Sequence, residues 1–251
     1  MSKSKSHRSR RRKRRSVVKE IYSIAHTNAP THYVEAYKMI ANNIEFIAVA
    51  KECKTIMVTS AVENEGKTNC VVNLSLALTG YGKKVCLVDC DLRKPSIHRL
   101  QRNSTGLAYV LKGEVSLEDA IFKHNDSDLD LLLAGLIPPN PTELLASDKM
   151  KNIVEQLKEE YDYVIFDTPP CLGISDVSVL GRYMDAAIIT IKHNSTDKKL
   201  AARAKQNLEN AGINVIGSIL TEYDAGSDRS DYSYYYTYGG YYYYGYGSQE
   251  D

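Results

Sequence analysis

The sequence predicts an α/β fold in which a parallel sheet carries helices on both faces. Short runs rich in β-branched and apolar residues alternate along the chain with longer segments of helical character. Several of these runs are apolar at consecutive positions, as in strands that are buried on both faces. A length of 251 residues suits one domain of this class. Parallel sheets bind ligands at the carboxyl ends of their strands, so we expect the functional residues there.

The first half of the chain alternates most regularly. Residues 31–51 are a predicted helix, because apolar residues recur there at near-helical spacing. Residues 55–61 form a short strand, and residues 68–79 form a helix that ends at a pair of glycines. Residues 84–92, with VCLVDCD at their centre, form a second strand. The pattern is strand, glycine-containing loop, helix and strand.

The second half repeats this alternation less cleanly. A helix is predicted over residues 116–122, with Ser116 and Asp119 as a capping pair. The strands after residue 160 are expected to be buried like the earlier ones. The remaining elements are helices over 147–160 and 196–210 and strands over 129–134, 163–166, 186–192 and 215–221.

The two ends of the chain differ from its body in composition. Residues 1–19 hold ten basic and no acidic residues, which predicts a disordered basic arm. Ten of the nineteen tyrosines lie in residues 226–251, a predicted flexible tail, and residues 20–225 form the folded domain. The tail is either a self-associating low-complexity tract or a cluster of phosphate acceptors. The arm is attracted to anionic lipid, contacts nucleic acid or keeps the chain soluble.

Several features predict a cytoplasmic protein. No apolar run approaches the ~18 residues of a membrane span. Lys19 and Glu20 fall where a signal peptide would have its apolar segment. The five cysteines have no paired spacing, so we interpret them as reduced thiols in the core.

A candidate phosphate-binding loop lies between the first strand and the next helix. Residues 60–68 read SAVENEGKT, in which Lys67 would reach the β and γ phosphates and the Thr68 hydroxyl would bind Mg²⁺. The pattern departs from G-x-x-x-x-G-K-[ST] because Ala61 replaces the first glycine, although Asn64 can supply a positive φ. The alternative is an ordinary strand-turn-helix with an exposed lysine.

Carboxylates end two of the apolar strands. Asp89 and Asp91 are two residues apart, which predicts that both side chains leave the same face of the strand end. Asp167 ends the strand VIFD. Mg²⁺ prefers oxygen ligands and keeps several waters, so these carboxylates suit a metal beside a phosphate. The alternative for any one of them is a turn or a helix cap.

These segments together resemble the bacterial tyrosine kinases (BY-kinases) of capsule and exopolysaccharide synthesis. The resemblance runs from about Glu35 to the end of the chain. The matching segments are SAVENEGKT (Walker A), VCLVDCDLRKPSIH (Walker A′), LLLAGLIPPNPTELLASDKM, YDYVIFDTPP (Walker B) and the terminal tyrosine cluster. In the family's Walker A motif a proline stands where this chain has Glu63.

The resemblance implies a protein-tyrosine kinase that uses ATP and Mg²⁺ and phosphorylates its own tail and other proteins. It implies catalytic roles for Lys67 and Asp89, the latter as base. Nucleotide-binding residues would be Glu63, Asn64, Glu65, Gly66, Lys67, Thr68 and Asn69, and metal-binding residues would be Thr68, Asp89, Asp91 and Asp167. The phosphate acceptors would be Tyr232, Tyr234, Tyr235, Tyr236, Tyr238, Tyr241, Tyr242, Tyr243, Tyr244 and Tyr246.

The resemblance also implies partners. The family's E-x-x-R-x-x-R helix builds a ring of subunits, and the matching oligomer contacts here are Glu35 and Lys38, with Ala41 in place of the second arginine. A separate transmembrane adaptor would activate the kinase and recruit it to the inner face of the cell membrane. Further expected partners are a tyrosine phosphatase, substrates such as sugar-nucleotide enzymes and glycosyltransferases, and an anionic membrane surface that contacts the basic arm.

Two other functions remain open. One is a positioning or partitioning ATPase of the ParA and MinD type, in which nucleotide binding switches dimerisation. That group has an additional lysine near the start of its phosphate loop, and residues 60–65 contain none. The other is a nucleotide-binding scaffold that another kinase phosphorylates, which the departures at Ala61, Glu63 and Ala41 keep open.

Overall fold

The computed structural model describes residues 21, 23–25, 28–99 and 105–223. The predicted basic arm, the tyrosine tail and all ten predicted phosphate acceptors lie outside these residues. The described part contains a seven-stranded sheet with helices on both faces, which confirms the predicted fold class. No helix in this part of the chain combines the length and the apolar character that a membrane span needs.

The elements alternate as the sequence predicts. The strands are β1 Thr55–Ser60, β2 Val85–Asp89, β3 Phe122–Lys123, β4 Asp130–Leu132, β5 Tyr163–Asp167, β6 Ala186–Lys192 and β7 Val215–Thr221. The helices are α1 Thr31–Lys51, α2 Lys67–Gly80, α3 Leu107–Lys112, α4 Leu117–Ala120, α5 Pro141–Leu145, α6 Asp148–Glu160, α7 Asp176–Leu180 and α8 Lys198–Asn210, with 3₁₀ turns at Ile97–Arg99 and Gly181–Tyr183.

The sheet order is β3-β4-β2-β5-β1-β6-β7. All neighbouring strands are parallel except β3 and β4, which pair antiparallel at one edge. The strands β2, β5 and β1 are therefore adjacent at the centre, and their carboxyl ends meet at the same edge. The ends of these strands and the loops that follow them contain the residues that the sequence singles out.

The central strands are buried on both faces because their side chains alternate. In β1, Ile56 and Val58 pack toward α1 and α2, whereas Met57 packs toward α6 and α8 on the other face. All five cysteines are free and buried, so their predicted place in the core is confirmed. This buried sheet is the rigid support of the candidate site.

Some predicted elements differ from the structure. The Ser116 hydroxyl accepts a hydrogen bond from the Asp119 N–H at 3.1 Å, which confirms the capping pair, but α4 has only four residues and residue 122 belongs to β3. The strand β7 has no buried residue, because it lies at the sheet edge; the expectation of a buried strand was wrong. The sequence did not predict α3, α5, α7 or β3.

Candidate active site

The candidate phosphate loop connects β1 to α2. Asn64 has φ +65° and Gly66 has φ +80°, so both adopt the left-handed conformation, and the positive φ expected at Asn64 is confirmed. Gly66 immediately precedes α2, which starts at Lys67 and has no acidic residue in its first turn. The unpaired N–H groups of this turn favour an anion. The loop therefore has the conformation and polarity of a phosphate site.

Lys67 is largely buried at this helix start. The residue is only 8% exposed, which excludes the alternative of an ordinary exposed lysine. Among the described residues it forms no ion pair with a carboxylate. Its charge nevertheless acts on Asp167, whose pKa it lowers against the larger, opposite effect of burial. Lys67 is thus a buried cation beside the carboxyl end of β5.

Asp89 and Asp167 lie opposite each other in the register of β2 and β5. Both are the last residues of their strands and both are buried. One oxygen of Asp89 accepts a hydrogen bond from the Asp91 N–H at 3.2 Å, and the other accepts from the Ser96 and Ile97 N–H groups at the same distance. The sheet thus holds the two carboxylates side by side.

Asp167 has one satisfied and one unsatisfied oxygen. The Thr68 hydroxyl donates to its Oδ2 at 2.7 Å, whereas its buried Oδ1 has no hydrogen-bond partner among the described residues. Burial raises the pKa of Asp167 to about 6, and burial together with the charge of Asp167 raises the pKa of Asp89 well above its usual range. A buried carboxylate oxygen without a partner is expected where a cation binds.

Asp91 lies two residues beyond the end of β2, and its charge contributes to the raised pKa of both Asp89 and Asp167. The alternation of side chains applies only within a strand, so the predicted shared face of Asp89 and Asp91 stays a prediction. One Asp91 oxygen accepts a hydrogen bond from the Lys94 N–H at 2.9 Å. No group of three or more His, Cys, Asp or Glu side chains within the described ranges could hold a metal ion by itself. Mg²⁺ would therefore need water and phosphate oxygens as further ligands.

Three of the predicted nucleotide-binding residues have side chains that bind other protein groups. The exposed Glu63 carboxylate pairs with the Lys94 ammonium, which lowers the pKa of Glu63. The buried Glu65 carboxylate accepts a hydrogen bond from the Val62 N–H at 3.1 Å. The Asn69 amide donates to the Tyr33 hydroxyl at 2.7 Å. We expect these residues to contact a nucleotide through their backbones.

The sequence missed an ion pair next to the site. Arg93 donates through Nε to Asp176 Oδ2 at 2.7 Å and through Nη2 to Oδ1 at 3.0 Å. The Thr142 hydroxyl also donates to Asp176, which is buried. This cluster joins the loop after β2 to α5 and α7. Only the R-K-P segment gave a local signal, because Arg93 and Asp176 are 83 residues apart.

The predicted oligomer contacts lie on α1. Glu35 and Lys38 are exposed and pair with each other at 2.8 Å. Ala41, in contrast, is buried in the core cluster that α1 shares with α2 and does not share the surface of Glu35 and Lys38. The ring contact therefore stays a prediction that involves Glu35 and Lys38 without a third charged residue at position 41.

A phosphate loop after β1 and carboxylates at the ends of β5 and β2, the next two strands of the sheet, define a P-loop nucleotide-binding protein. The family described as an AAA domain matches residues 53–209. The tyrosine-protein kinase YwqD of Bacillus subtilis strain 168 is 40% identical over 214 residues, which cover 84% of this chain and 90% of that protein. The chain therefore belongs to the bacterial tyrosine kinase family.

The structural similarity agrees with this assignment. The solved kinase domain of the Escherichia coli tyrosine kinase ETK is 32% identical, with a TM-score of 0.72, and the match covers 77% of this chain and 80% of that domain. The curated tyrosine-protein kinase etk of Escherichia coli strain K12 is 33% identical over 204 residues. That match covers 80% of this chain but only 28% of etk, so the chain corresponds to a small part of that relative.

The fold is also shared with the ATPase group that the sequence left open. The septum site-determining protein MinD of Pyrococcus horikoshii, solved as a complex with Mg-ADP, is 26% identical with a TM-score of 0.59. The match covers 70% of this chain and 72% of MinD. The identity and the TM-score are lower than for the ETK kinase domain, which favours the kinases.

Proposed function

We propose that the chain is an ATP-dependent protein-tyrosine kinase that phosphorylates its own C-terminal tyrosine cluster and regulates capsule and exopolysaccharide synthesis and export. The main support is the pairing of Asp89 with Asp167 at the sheet edge where Lys67 and the phosphate loop lie. Relatives named tyrosine-protein kinases support the type of reaction.

The phosphates of ATP would bind in the loop before α2. Backbone N–H groups from Glu63 to Asn69 would surround the phosphates, and the Lys67 ammonium would contact the β and γ phosphates. Thr68 and Asp167 would hold Mg²⁺, which fits the unpartnered Asp167 oxygen, and Asp89 and Asp91 would complete its surroundings. When bound, the ion neutralises charge on the phosphate oxygens.

The tyrosine oxygen would attack the γ phosphorus. The bond from this oxygen to phosphorus forms, the bond from phosphorus to the bridging oxygen of ADP breaks, and the tyrosine proton moves to a carboxylate. Asp89 is the proposed acceptor, because it ends β2 beside Asp167, and a raised pKa makes the ionised form a stronger base. Most of the acceleration would come from positioning and charge neutralisation.

The proposed context is the inner face of the cell membrane, reached through a transmembrane adaptor. A modified tail would gain about −1.5 to −2 charges per phosphotyrosine, which would repel neighbouring subunits in a ring. A tyrosine phosphatase would reverse this change. Exogenous substrates would be enzymes of polysaccharide synthesis, such as sugar-nucleotide enzymes and glycosyltransferases.

The decisive experiment incubates the purified chain with ATP and Mg²⁺ and measures phosphotyrosine and intact mass. Lys67→Met removes the phosphate-binding cation, and a chain truncated after Asp224 removes the acceptors. Lys205→Met is the matched control, because Lys205 is an exposed lysine on α8. Each protein is assayed alone and with the cytoplasmic segment of a candidate adaptor.

We expect a ladder of added phosphates in the wild type and the Lys205→Met variant and none in the other two chains. Phosphotyrosine in purified Lys67→Met protein would contradict the role of Lys67. ATP hydrolysis without phosphotyrosine would favour a switch ATPase, and the absence of both activities would favour a scaffold.

A further inference from the structure

The buried carboxylate of Glu65 holds the phosphate loop in place through hydrogen bonds. Residues 62–64 of this loop are exposed, but Glu65 is only 2% exposed. Its Oε2 accepts a hydrogen bond from the Val62 N–H at 3.1 Å, and its Oε1 accepts one from the Thr196 hydroxyl. Within the described part of the chain, the charge of Glu65 is thus met by hydrogen-bond donors and not by an ion pair. Such contacts to a buried charge contribute more than neutral ones.

Thr196 connects the Glu65 carboxylate to the end of β6. The Thr196 hydroxyl donates to Glu65 and accepts a hydrogen bond from the Lys192 N–H at 2.9 Å. Both hydrogen-bonding roles of the hydroxyl are therefore used. Lys192 is the last residue of β6, so the strand end fixes Thr196 and Thr196 fixes Glu65.

Thr221 contacts the same part of the loop from β7. Its hydroxyl donates to the Glu65 carbonyl oxygen at 2.8 Å; the Ile191 carbonyl oxygen is farther, at 3.4 Å. Thr221 also packs against Gly66, since a Cβ on Gly66 would lie 3.2 Å from the Thr221 Cβ. The residue before Lys67 is thus held by a side chain that lies 155 positions later.

The described part of the chain continues for two residues beyond Thr221, to Tyr223. The Glu222 carboxylate pairs with the Lys192 ammonium at 2.6 Å, and the Tyr223 ring packs edge-on against His193 with 4.9 Å between ring centres. The His193 N–H also donates to the Thr221 carbonyl oxygen at 3.0 Å. Glu222 and Tyr223 therefore contact the β6–α8 loop, which also contains Thr196. We call these two residues, which precede the predicted tail at residues 226–251, the base of the tyrosine tail.

We propose that Thr196 and Thr221 are positioning residues that hold the phosphate loop through Glu65, and that they couple nucleotide binding to the base of the tyrosine tail. This inference rests on the proposed nucleotide binding. The Gly66 backbone and Lys67 must adopt one geometry to contact phosphates, and small displacements there are costly. Because coupling is reciprocal, a nucleotide that orders the loop also stabilises Thr221 and the residues around it.

The test compares threonine variants by the Kd of a fluorescent ADP in the presence of Mg²⁺. Thr221→Val and Thr196→Val remove one hydroxyl each at nearly constant volume, whereas Thr221→Ser and Thr196→Ser retain it. The matched control is Thr79→Val, because the Thr79 hydroxyl donates to the Ser75 carbonyl oxygen at the opposite end of α2. All titrations use full-length protein well below the unfolding temperature, which is recorded for each variant.

We expect the Kd to rise about fivefold for Thr221→Val and about tenfold for Thr196→Val, in line with the loss of one hydrogen bond at a neutral and at a charged acceptor. Both serine variants and Thr79→Val should stay within about twofold of the wild type. A purely structural role would lower the unfolding temperature without changing the Kd.

Hydrogen exchange provides a second readout that does not depend on kinase activity. ADP should slow amide exchange over residues 215–223 in the wild type, and Thr221→Val should lose most of this protection. Wild-type nucleotide binding with unchanged Kd values in both valine variants would overturn the inference and leave the proposed kinase intact. A wild-type protein that binds no nucleotide would overturn both.

Discussion

At the amino end of the sheet, Asp185 accepts hydrogen bonds from the Lys54 and Thr55 N–H groups at 2.9 Å and from the Lys158 ammonium. At the carboxyl end, Asp167 accepts one hydrogen bond from Thr68, and its second oxygen has no partner among the described residues. Both carboxylates lie next to central strands of one sheet. The difference between them lies in how completely the protein compensates their charge.

The pKa shifts follow from this difference. Burial tends to raise the pKa of Asp185, but the hydrogen bonds from Lys158, Thr55 and Lys54 bring it below its usual value. Burial raises the pKa of Asp167 to about 6, although Lys67 and Thr68 act against it. The Asp185 carboxylate therefore stabilises the fold. The Asp167 carboxylate destabilises it until a ligand supplies a compensating positive charge.

The largest effect on stability is expected for Asp185→Asn. The amide keeps one acceptor oxygen but directs an NH₂ group toward N–H donors, and it leaves the Lys158 ammonium without a counter-charge. We expect the free energy of unfolding at pH 7 to fall by about 2–3 kcal/mol. Urea unfolding measures this change. The ADP Kd should not change, because Asp185 is at the opposite sheet edge; unchanged stability would contradict the assigned compensation.

A change in stability of the opposite sign, a stabilisation, is expected for Asp167→Asn. The amide oxygen can still accept the Thr68 hydroxyl, while the buried charge is removed. We expect the free energy of unfolding to rise by about 1–2 kcal/mol at pH 7 in the absence of nucleotide and Mg²⁺, and tail phosphorylation to be lost. Urea unfolding and intact mass measure the two effects. A loss of stability would show that Asp167 is already compensated.

The pH dependence of stability independently checks whether the Asp167 carboxylate destabilises the fold. In the unfolded chain Asp167 titrates near its usual value of about 3.9, and in the folded chain its pKa is about 6. Between these two values the folded protein binds more protons, so the contribution of Asp167 to stability falls as pH rises from about 4 to 6. Unfolding curves across this range should show a smaller fall in Asp167→Asn than in the wild type. Parallel curves would contradict the raised pKa.

The sequence predicts the central strands and the phosphate loop because their signals are local. Apolar runs mark β1, β2, β5 and β6, and the residues GKT follow a strand directly. The place of Asp89 and Asp167 at one edge of the sheet also follows, since parallel strands end at the same edge, whereas their direct pairing depends on the sheet order. These predictions need only the periodicity of a strand and the polarity of a helix start.

The rest depends on pairings that are distant in the chain. Glu65 and Thr196 are 131 residues apart, so no window of sequence relates them. The edge position of β7 is a property of the sheet order and not of its own apolar residues. Helices α3 and α5 have only six and five residues, too few for a periodicity signal, although Gly113 after α3 and Pro141 at the start of α5 are local end signals.

A third substitution tests what determines whether a carboxylate stabilises or destabilises the fold: the hydrogen bonds and charges that compensate it, or its position at one end of the sheet. Asp176 is buried near the carboxyl end; burial tends to raise its pKa, but hydrogen bonds from Arg93 and Thr142 hold it below its usual value. Arg93→Lys keeps the charge but loses the bidentate hydrogen bond to Asp176. We expect the free energy of unfolding to fall by about 1 kcal/mol, measured in urea. A stabilised variant would contradict the compensation assigned to Asp176.

The smallest change in stability is expected for an exposed ion pair, and it serves as the reference for the other three substitutions. Lys205 pairs with Glu209 at 2.7 Å on the outer face of α8, and both side chains are about half exposed to water. Lys205→Gln removes a charge without uncovering a buried one, so we expect the free energy of unfolding to change by less than about 0.5 kcal/mol. Urea unfolding under the same conditions gives the value. A change above about 1 kcal/mol would show that removal of a single charge acts through the net charge of the domain. The opposite signs at Asp185 and Asp167 could then not be assigned to local compensation.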